Sequence, residues 1–262
     1  MTRIAVNGAM GRMGTRILEL AAASAQFEIA GAFEHEAGGH RGKTIKTAAG
    51  KELKIQALAE DALGGNGVLI DFSSPEGIPV AVEAAQKAGW GLVVGTTGAP
   101  AQASEMIRAA SEKIPVVYSA NMSVGVNLVL ELVRIAASKL GKDFDIEITE
   151  AHHRHKKDAP SGTALLLADA ILDAKGWDRK ALNYRQEGKS PSERPEREIG
   201  IQVVRAGEIV GDHTVLFGGP AETIEIIHRA QSRDTFARGA LLAASFLSQK
   251  QAGLYTMGDV LK

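Results

Sequence analysis

The sequence predicts a doubly wound α/β fold together with a second, smaller sheet. In the first half of the chain, short runs rich in Val and Ile alternate with helical patterns, and most runs are too continuously apolar for half-exposed strands. Strands that are buried on both faces and separated by helices form a parallel sheet with helices on either side. After residue 140 the strand candidates instead alternate apolar and polar residues, which is typical of a mixed or antiparallel sheet with one free face.

The elements of the first half can be placed in order. We expect strands at residues 4–6, 27–33, 68–72, 92–94 and 116–118. Helical patterns occupy residues 12–23, 77–88, 101–112 and 124–140. This succession is that of βαβ units, whose strands lie parallel to one another.

The second half is expected to hold strands at residues 146–151, 199–204, 209–217 and 223–229, and a helix at 164–174. Residues 186–198 contain no aliphatic or aromatic side chain and include two prolines, which predicts a mobile loop. A helix at 235–249 is apolar on one face, so we expect it to pack back onto the first domain.

Composition and charge limit the classes of function. The 262 residues are 45% hydrophobic and 23% charged, with a net charge of -1, which is the composition of an ordinary globular protein. A charge so close to zero gives no general attraction to nucleic acid or anionic membranes. The absence of cysteine excludes disulfides, thiolate nucleophiles and cysteine-bound metals. Since we find no secretion signal or membrane-length apolar stretch either, we expect a cytoplasmic protein with no nucleic-acid or membrane partner.

A glycine-rich turn joins the first strand to the first helix and reads Gly8-Ala9-Met10-Gly11-Arg12-Met13-Gly14. Such a turn lets the backbone approach a pyrophosphate, which the helix N-terminus attracts through its unpaired N–H groups and its dipole. Gly8 would make the turn, Gly11 would allow the close approach, and Gly14 would let the helix pack on the strand. The GxxGxxG spacing has low specificity, so a plain tight turn remains an alternative.

Three further strand ends are expected to face the same dinucleotide. Glu34 ends the second strand twenty residues after Gly14, where a carboxylate can accept hydrogen bonds from ribose hydroxyls. Ligands of doubly wound sheets bind beyond the carboxyl ends of the strands, so two later turns should lie on the nicotinamide side. These turns supply Gly95, Thr96 and Thr97, and Ser119, Ala120, Asn121 and Met122. Taken alone, each is also compatible with an ordinary turn.

The most unusual segment, residues 150–163, reads EAHHRHKKDAPSGT and holds three of the chain's seven histidines. We expect no metal here, because Arg154, Lys156 and Lys157 would repel a cation and the spacing is not that of a usual metal motif. One short basic run without an aromatic platform is also a poor site for nucleic acid. A solvated basic turn remains the alternative to a functional role.

A functional role of this segment is favoured because a helical pattern begins at Ser161, Gly162 and Thr163. The N–H groups and dipole of a helix N-terminus can bind a carboxylate as they bind a phosphate. Neighbouring lysines would hold a second negative group, and histidines that titrate near neutral pH can transfer protons. The segment therefore suits a small dicarboxylate substrate.

These motifs together resemble the dihydrodipicolinate (4-hydroxy-tetrahydrodipicolinate) reductase family of the diaminopimelate route to lysine. The resemblance covers essentially the whole chain and is carried by the glycine turn, DFSSPE at 71–76, GTTG at 95–98, NMSVGVN at 121–127 and, most specifically, residues 150–163. It implies a Rossmann-type dinucleotide domain at 1–123 and 233–262. It also implies a substrate-binding and tetramerisation domain at 124–232, whose homotetramer would cover the free sheet faces.

The resemblance also implies roles for single residues. His152 would be the general acid and Lys156 its cationic partner. The two substrate carboxylates would be bound by His153, Lys156, Ser161, Gly162 and Thr163. The implied reaction transfers a hydride from the nicotinamide to C4 of a cyclic imine and a proton to C3, giving tetrahydrodipicolinate.

The adenosine end of the site departs from the family pattern. Members that use NADPH well often carry an arginine after the acidic residue and a second after the 71–72 strand end, where this chain has His35 and Ser74. Loss of guanidinium contacts weakens binding of a 2′-phosphate, so we expect NADH to serve at least as well as NADPH.

Two other functions are also compatible with parts of the sequence. Another NAD(P)-dependent dehydrogenase of an amino or imino dicarboxylate would share the glycine turn but would not need residues 152–163. A non-catalytic dinucleotide sensor would be expected to have lost His152 or Lys156, and both are present.

Overall fold

The structure, a computed structural model, describes residues 1–35, 39, 42–59, 61–184 and 193–262. These residues form two compact units, Met1–Val124 with Arg233–Lys262, and Gly125–Ser232. The second unit is thus inserted between two segments of the first. Of the loop predicted at 186–198, residues 186–192 lie outside the described residues.

The first unit contains one large sheet. Its strands are β1 (Thr2–Asn7), β2 (Phe27–Glu34), β3 (Thr44–Lys46), β4 (Glu52–Ala57), β5 (Val68–Asp71), β6 (Gly91–Val94), β7 (Pro115–Tyr118) and β13 (Gly253–Tyr255). Among the described residues they form an 8-stranded sheet in the order β13-β7-β6-β5-β1-β2-β4-β3. Neighbouring strands are parallel, except that β3 pairs antiparallel with β4 at one edge.

Helices cover this sheet on both faces. They are α1 (Arg12–Ala22), α2 (Ile78–Ala88), α3 (Ala101–Ser111), α6 (Asp234–Leu247) and the short α7 (Met257–Val260). On one face α1 and α6 share a core with β1, to which Ile4, Ile17 and Ala240 belong. On the other face α2 and α3 pack on Leu69 and Leu92. Because β5 and β6 are buried at every position, the doubly wound prediction is confirmed.

The second unit is built on a smaller mixed sheet. Its strands are β8 (Asp145–His152), β9 (Leu182–Tyr184), β10 (Ile199–Arg205), β11 (Gly211–Gly218) and β12 (Thr223–Ala230), in the order β12-β11-β8-β10-β9. β8 runs parallel to β10 and antiparallel to β11, so the predicted mixed sheet is confirmed. The helices α4 (Val124–Lys139) and α5 (Gly162–Lys175) contribute Val133 and Leu167 to the core under one face.

Four strands, β3, β4, β9 and β13, do not follow from the sequence pattern. Three of them have only 3 residues, and β4 reads ELKIQA, with charged residues between its apolar ones. Such segments become strands because a neighbouring strand offers them hydrogen bonds, which local sequence does not reveal. Within the described residues, no helix has both the length and the apolar character that crossing a membrane requires.

Candidate active site

The turn between β1 and α1 is closely packed against its neighbours. Gly8 has a φ of +79°, a backbone conformation that favours glycine, and a Cβ at Gly8 would overlap the carbonyl of Phe72. A Cβ at Gly14 would overlap the carbonyl of Gly8. Gly11 is the N-cap of α1, and among the described residues no side chain caps this helix. The turn therefore offers bare backbone to a ligand at a helix N-terminus, which fits a pyrophosphate.

A cavity of about 1030 Å³ is lined by this turn and by the ends of neighbouring strands. Its lining includes Gly8, Met10, Glu34, His35 and Ser74. The carboxylate of Glu34 accepts a hydrogen bond from the amide of Met10 at 3.0 Å, so the acid at the end of β2 reaches the glycine turn. The volume is at the upper end of the range that small-molecule and cofactor pockets span.

A buried carboxylate lies at the carboxyl end of β5, and sequence reasoning assigned it no role. Asp71 accepts hydrogen bonds from Asn7 Nδ2 at 2.6 Å, from Ser73 Oγ at 2.7 Å and from Thr96 Oγ1 at 2.6 Å. Burial raises the pKa of Asp71, while the three donors oppose that rise. The network ties together the ends of β1, β5 and β6 beside the cavity. An acid that ends the apolar run VLID was the available signal.

The two turns predicted on the nicotinamide side have different surroundings. A Cβ at Gly95 would overlap the ring of Phe72, so that turn passes close to its neighbour. In the second turn, Ser119 Oγ donates to the carbonyl of Asn121 at 2.9 Å. The side chain of Met122 is buried in the core shared by α1 and α6, so a ligand would meet its backbone and not its thioether.

The second unit gathers a charged cluster around the end of β8. Glu150 and His152 lie two residues apart on the buried face of the strand, and His152 Nδ1 is 2.6 Å from Glu150 Oε2. Arg205, at the end of β10, donates to both carboxylate oxygens of Glu150, at 2.7 and 2.8 Å. The backbone amide of Ser161 donates to Glu150 at 2.9 Å. The carboxylate thus receives hydrogen bonds from three directions.

The electrostatics of this cluster fix two protonation states. Desolvation of Glu150 favours its neutral form, but hydrogen bonds from His152, Arg205 and the Ser161 amide outweigh it and lower the pKa of Glu150 to about 2. Burial lowers the pKa of His213 to about 3, with a smaller contribution from His152. The rings of His152 and His213 meet edge to face with centroids 5.2 Å apart. At neutral pH an anionic Glu150 and a neutral His213 therefore flank His152.

Lys156 lies in the loop that follows β8. Its Nζ pairs with both carboxylate oxygens of Asp158, at 2.9 and 2.8 Å. In the same loop, the rings of His153 and His155 have centroids 6.2 Å apart. The backbone amide of His153 donates to the carbonyl of Ile209 at 2.7 Å, which holds the start of the loop against the residues before β11.

The N-terminus of α5 follows this loop directly. Ser161 is its N-cap, and the hydroxyl of Ser161 accepts a hydrogen bond from the amide of Ala164 at 3.1 Å. A Cβ at Gly162 would meet nothing within 4 Å, so there is open space where Gly162 and Thr163 begin the helix. An anion can therefore approach this helix end. Among the described residues, no group of three or more His, Asp or Glu side chains is placed to hold a metal ion.

Sequence reasoning collected His152, Lys156 and Ser161 because they lie in one segment, but it assigned no role to Glu150, Arg205 or His213. The last two are distant in sequence and join the site only through the pairing of β8 with β10 and β11. Polar residues within otherwise apolar strands were the signal for them.

The first unit is a doubly wound domain with a glycine turn, and the second unit carries histidines and a lysine beside a helix N-terminus. Together these features are those of an oxidoreductase with a nicotinamide cofactor. Residues 2–122 match the family described as "Dihydrodipicolinate reductase, N-terminus", and residues 125–261 match "Dihydrodipicolinate reductase, C-terminus". The chain belongs to the dihydrodipicolinate reductase family, which confirms the resemblance drawn from its motifs.

Individual relatives match along the whole length. The chain is 47% identical to the 4-hydroxy-tetrahydrodipicolinate reductase of Anaeromyxobacter dehalogenans, over 100% of this chain and 98% of that one. It is 44% identical to the protein of the same name from Pseudoalteromonas translucida, over 99% and 97%. The dipicolinate-bound dihydrodipicolinate reductase from Paenisporosarcina sp. TG-14 has a TM-score of 0.75 to it, covering 98% of this chain and 97% of that chain at 21% identity. This last similarity, at such low sequence identity, shows that the two chains share a fold.

Proposed function

We propose that the chain reduces the cyclic imine derived from 4-hydroxy-tetrahydrodipicolinate to tetrahydrodipicolinate, in the diaminopimelate route of lysine biosynthesis and in the cytoplasm. The observation that carries the proposal is the cluster at the end of β8, where His152 contacts an ionised carboxylate and Lys156 lies in the loop before the α5 N-terminus. The relatives that carry this activity in their names match the full chain.

The cofactor is assigned to the cavity of the first unit. When bound, NADH or NADPH supplies a hydride to C4 of the imine. The backbone of residues 8–13 would hold the pyrophosphate, and Glu34 would accept hydrogen bonds from the adenosine ribose. Residues 95–97 and 119–122 would contact the nicotinamide half. The bare glycine backbone and the cavity volume support this assignment.

The residues of the second unit would hold the substrate and complete the reaction. The two carboxylates would be bound by His153, Lys156, Ser161, Gly162 and Thr163. A hydride at C4 and a proton at C3 together reduce the conjugated imine by two electrons. We assign that proton to the imidazolium of His152, which becomes a neutral imidazole as the C3–H bond forms.

The choice between the two dinucleotides is part of the proposal. His35 and Ser74 line the cavity. The resemblance to the family implies that members using NADPH well often carry arginines at these two positions. Neither His35 nor Ser74 offers the forked, permanently charged contact that a 2′-phosphate favours. We therefore assign NADH a catalytic efficiency at least equal to that of NADPH.

The two domains would have separate roles, with residues 1–123 and 233–262 binding the dinucleotide and residues 124–232 binding the substrate and forming a homotetramer. The outer face of the mixed sheet supports the second role. Val204 and Ile227, which lie on that face, are 42% and 39% exposed. Exposed apolar side chains on an uncovered sheet face are typical of a subunit interface.

The experiment is to follow cofactor oxidation with freshly generated imine precursor in the wild-type enzyme and in His152→Ala and Lys156→Ala variants. Both variants are expected to lose about 100- to 10,000-fold in kcat, as enzymes do when a general acid is removed, and still bind NADH. His155→Ala and Lys157→Ala, from the same loop, are the matched controls and should retain turnover. Full activity in both His152 and Lys156 variants would refute the assigned roles.

A further inference from the structure

We propose that Glu150, held in place by Arg205 and the amide of Ser161, positions His152 and fixes which of its ring nitrogens delivers the proton. This inference rests on the proposed role of His152 as the proton donor. It assigns Glu150 as a positioning residue, because its carboxylate is fully buried and contacts the imidazole of His152.

The hydrogen bonds of Glu150 leave its carboxylate little freedom to move. Arg205 donates to both oxygens in a forked pair, and the Ser161 amide adds a third bond at 2.9 Å to Oε1. The remaining direction at Oε2 is taken by His152 Nδ1 at 2.6 Å. A carboxylate fixed in this way specifies both the position and the plane of the imidazole that it binds.

The charge of Glu150 then determines where the hydrogens of His152 lie. An anionic carboxylate only accepts hydrogen bonds, so Nδ1 carries a hydrogen in both the neutral and the charged ring. The proton that the ring gains and loses is therefore the one on Nε2. Fixing the tautomer through the far nitrogen is the task of a positioning carboxylate in acid–base catalysis.

The surroundings of Nε2 are consistent with a transferable proton there. Gly211, on the neighbouring strand β11, has no side chain, and a Cβ placed on it would lie 3.0 Å from His152 Nε2. A side chain at this position would therefore crowd the reactive nitrogen. The ring of His213 packs edge to face against His152 and limits its rotation.

Other charged and titratable groups surround the pair of Glu150 and His152. The groups are Arg205 on β10, His213 on β11, His228 on β12, and Lys156 and Asp158 in the loop after β8. The hydroxyl of Ser161 accepts from Ala164, so its hydrogen is available to His213 Nε2, 3.0 Å away. Burial lowers the pKa of His213 to about 3, so its ring is neutral at working pH.

Arg205 also connects this pair to the loop of Lys156. Its Nη2 donates to the backbone carbonyl of Asp158 at 2.7 Å as well as to Glu150. Loss of Glu150 would therefore have a structural effect in addition to any effect on proton transfer. A test must separate the two.

The test compares Glu150→Gln with Glu147→Gln. Glu147 lies on the same strand and pairs with Arg194 at 3.3 Å, so its variant also breaks a carboxylate–arginine pair but faces away from His152. In Glu150→Gln we expect kcat to fall roughly 10- to 100-fold with KM changed by less than about threefold. The alkaline limb of its kcat profile should move to lower pH by about one unit, because an imidazolium without its carboxylate is less stable. Glu147→Gln should keep the wild-type profile.

A second measurement does not depend on the folding of Glu150→Gln. Nitrogen-15 NMR of the histidines in the wild-type protein, with His152 assigned by comparison with His152→Ala, should show a hydrogen on Nδ1 and none on Nε2 in the neutral ring of His152.

Glu150→Asp, which keeps a charged partner for Arg205, should have a lower kcat while the alkaline limb of its kcat profile stays at the wild-type pH. An Nε2–H tautomer in the wild type, or an unaltered profile in folded Glu150→Gln, overturns the inference. Full turnover in His152→Ala would instead refute the donor role and leave the tautomer result standing.

Discussion

Asp158 holds the ammonium group of Lys156 with both of its carboxylate oxygens, at 2.9 and 2.8 Å. It thereby occupies the cation that the proposed function assigns to a substrate carboxylate. The ion pair also lowers the pKa of Asp158, so the carboxylate is ionised and competes at neutral pH. A dianionic substrate therefore competes with this internal partner for Lys156.

Removing the competitor should therefore tighten substrate binding. In Asp158→Asn we expect KM for the imine to fall about 2- to 5-fold, since exposed ion pairs contribute roughly 0.2–1 kcal/mol. Steady-state kinetics, with calorimetric titration of dipicolinate as a non-reacting dicarboxylate, measures the change. Asp169→Asn, which breaks the Arg179 pair on α5, is the control and should leave KM unaltered. A KM that rises in Asp158→Asn would show that Asp158 assists binding.

The cofactor preference can be tested by restoring the missing charge. With the wild-type enzyme, we expect kcat/KM for NADH to equal or exceed that for NADPH. His35→Arg combined with Ser74→Arg should raise kcat/KM for NADPH by about 10-fold, because bidentate charge-assisted contacts to a 2′-phosphate contribute about 1.5–3 kcal/mol. Values for NADH should change little. A more than tenfold preference of the wild-type enzyme for NADPH would contradict the assignment.

Two glycine variants should separate stability from binding. Gly162→Ala adds a methyl group in open space at the start of a helix, so the free energy of unfolding should change by less than about 0.5 kcal/mol. The same methyl group would narrow the carboxylate site and raise KM. In Gly14→Ala the methyl group overlaps the carbonyl of Gly8, so we expect a loss of about 1–3 kcal/mol together with weaker NADH binding. Urea unfolding measures the stability of both variants, steady-state kinetics measures KM for Gly162→Ala, and NADH fluorescence titration measures cofactor binding by Gly14→Ala. An unchanged stability of Gly14→Ala would contradict the close packing of this turn.

The buried carboxylate of Glu150 should make the free energy of unfolding depend on pH in the acid range. Its pKa is about 2 in the folded protein against 4.5 ordinarily, so it stabilises the fold above the higher value and loses that effect as pH falls towards the lower one. The contribution is of order 3 kcal/mol. Between about pH 5 and about pH 3, the free energy of unfolding of the wild type should therefore fall more steeply than that of Glu150→Gln. The control Glu83→Gln, at an exposed position on α2, should show the same dependence of unfolding free energy on pH as the wild type. If the wild type and Glu150→Gln lose stability equally as the pH falls, the prediction is wrong.

The proposed homotetramer can be tested on the outer face of the mixed sheet. Ile227→Glu would place a charge where the proposal has an apolar contact, and burying an unpaired charge is costly. We expect light scattering coupled to gel filtration to give a tetramer for the wild type and smaller species for the variant. Leu254→Glu, at a similarly exposed apolar residue on β13, should not change the mass. A wild-type monomer would refute the assembly.

Much of the fold could be predicted because its strongest elements depend on local sequence. β5 and β6 are apolar at almost every position, and α1 begins at the residue after Gly11. Both signals come from physics that acts within a few residues. The strands β3 and β4 exist only as neighbours in the sheet, and local sequence says little about such pairing.

The residues of the candidate site likewise fall into those that local sequence indicates and those that it does not. Residues 150–163 carry their chemistry in one continuous segment, so residue type and spacing were informative. Arg205 lies 55 residues from Glu150, and His213 lies 52 from Ser161. Only strand register brings these partners together. Side-chain direction was equally inaccessible, as at Met122, whose thioether packs in the core.

The insertion of the second unit determines the order in which the two units can form during synthesis. Residues 125–232 are complete before the ribosome reaches α6, yet α6 contributes Ala237, Ala240 and Ala244 to the core that β1 and α1 share. The dinucleotide unit therefore begins the chain but lacks part of its core until residue 247 has emerged. The unit inserted between the two segments of the first is therefore the first that can finish folding.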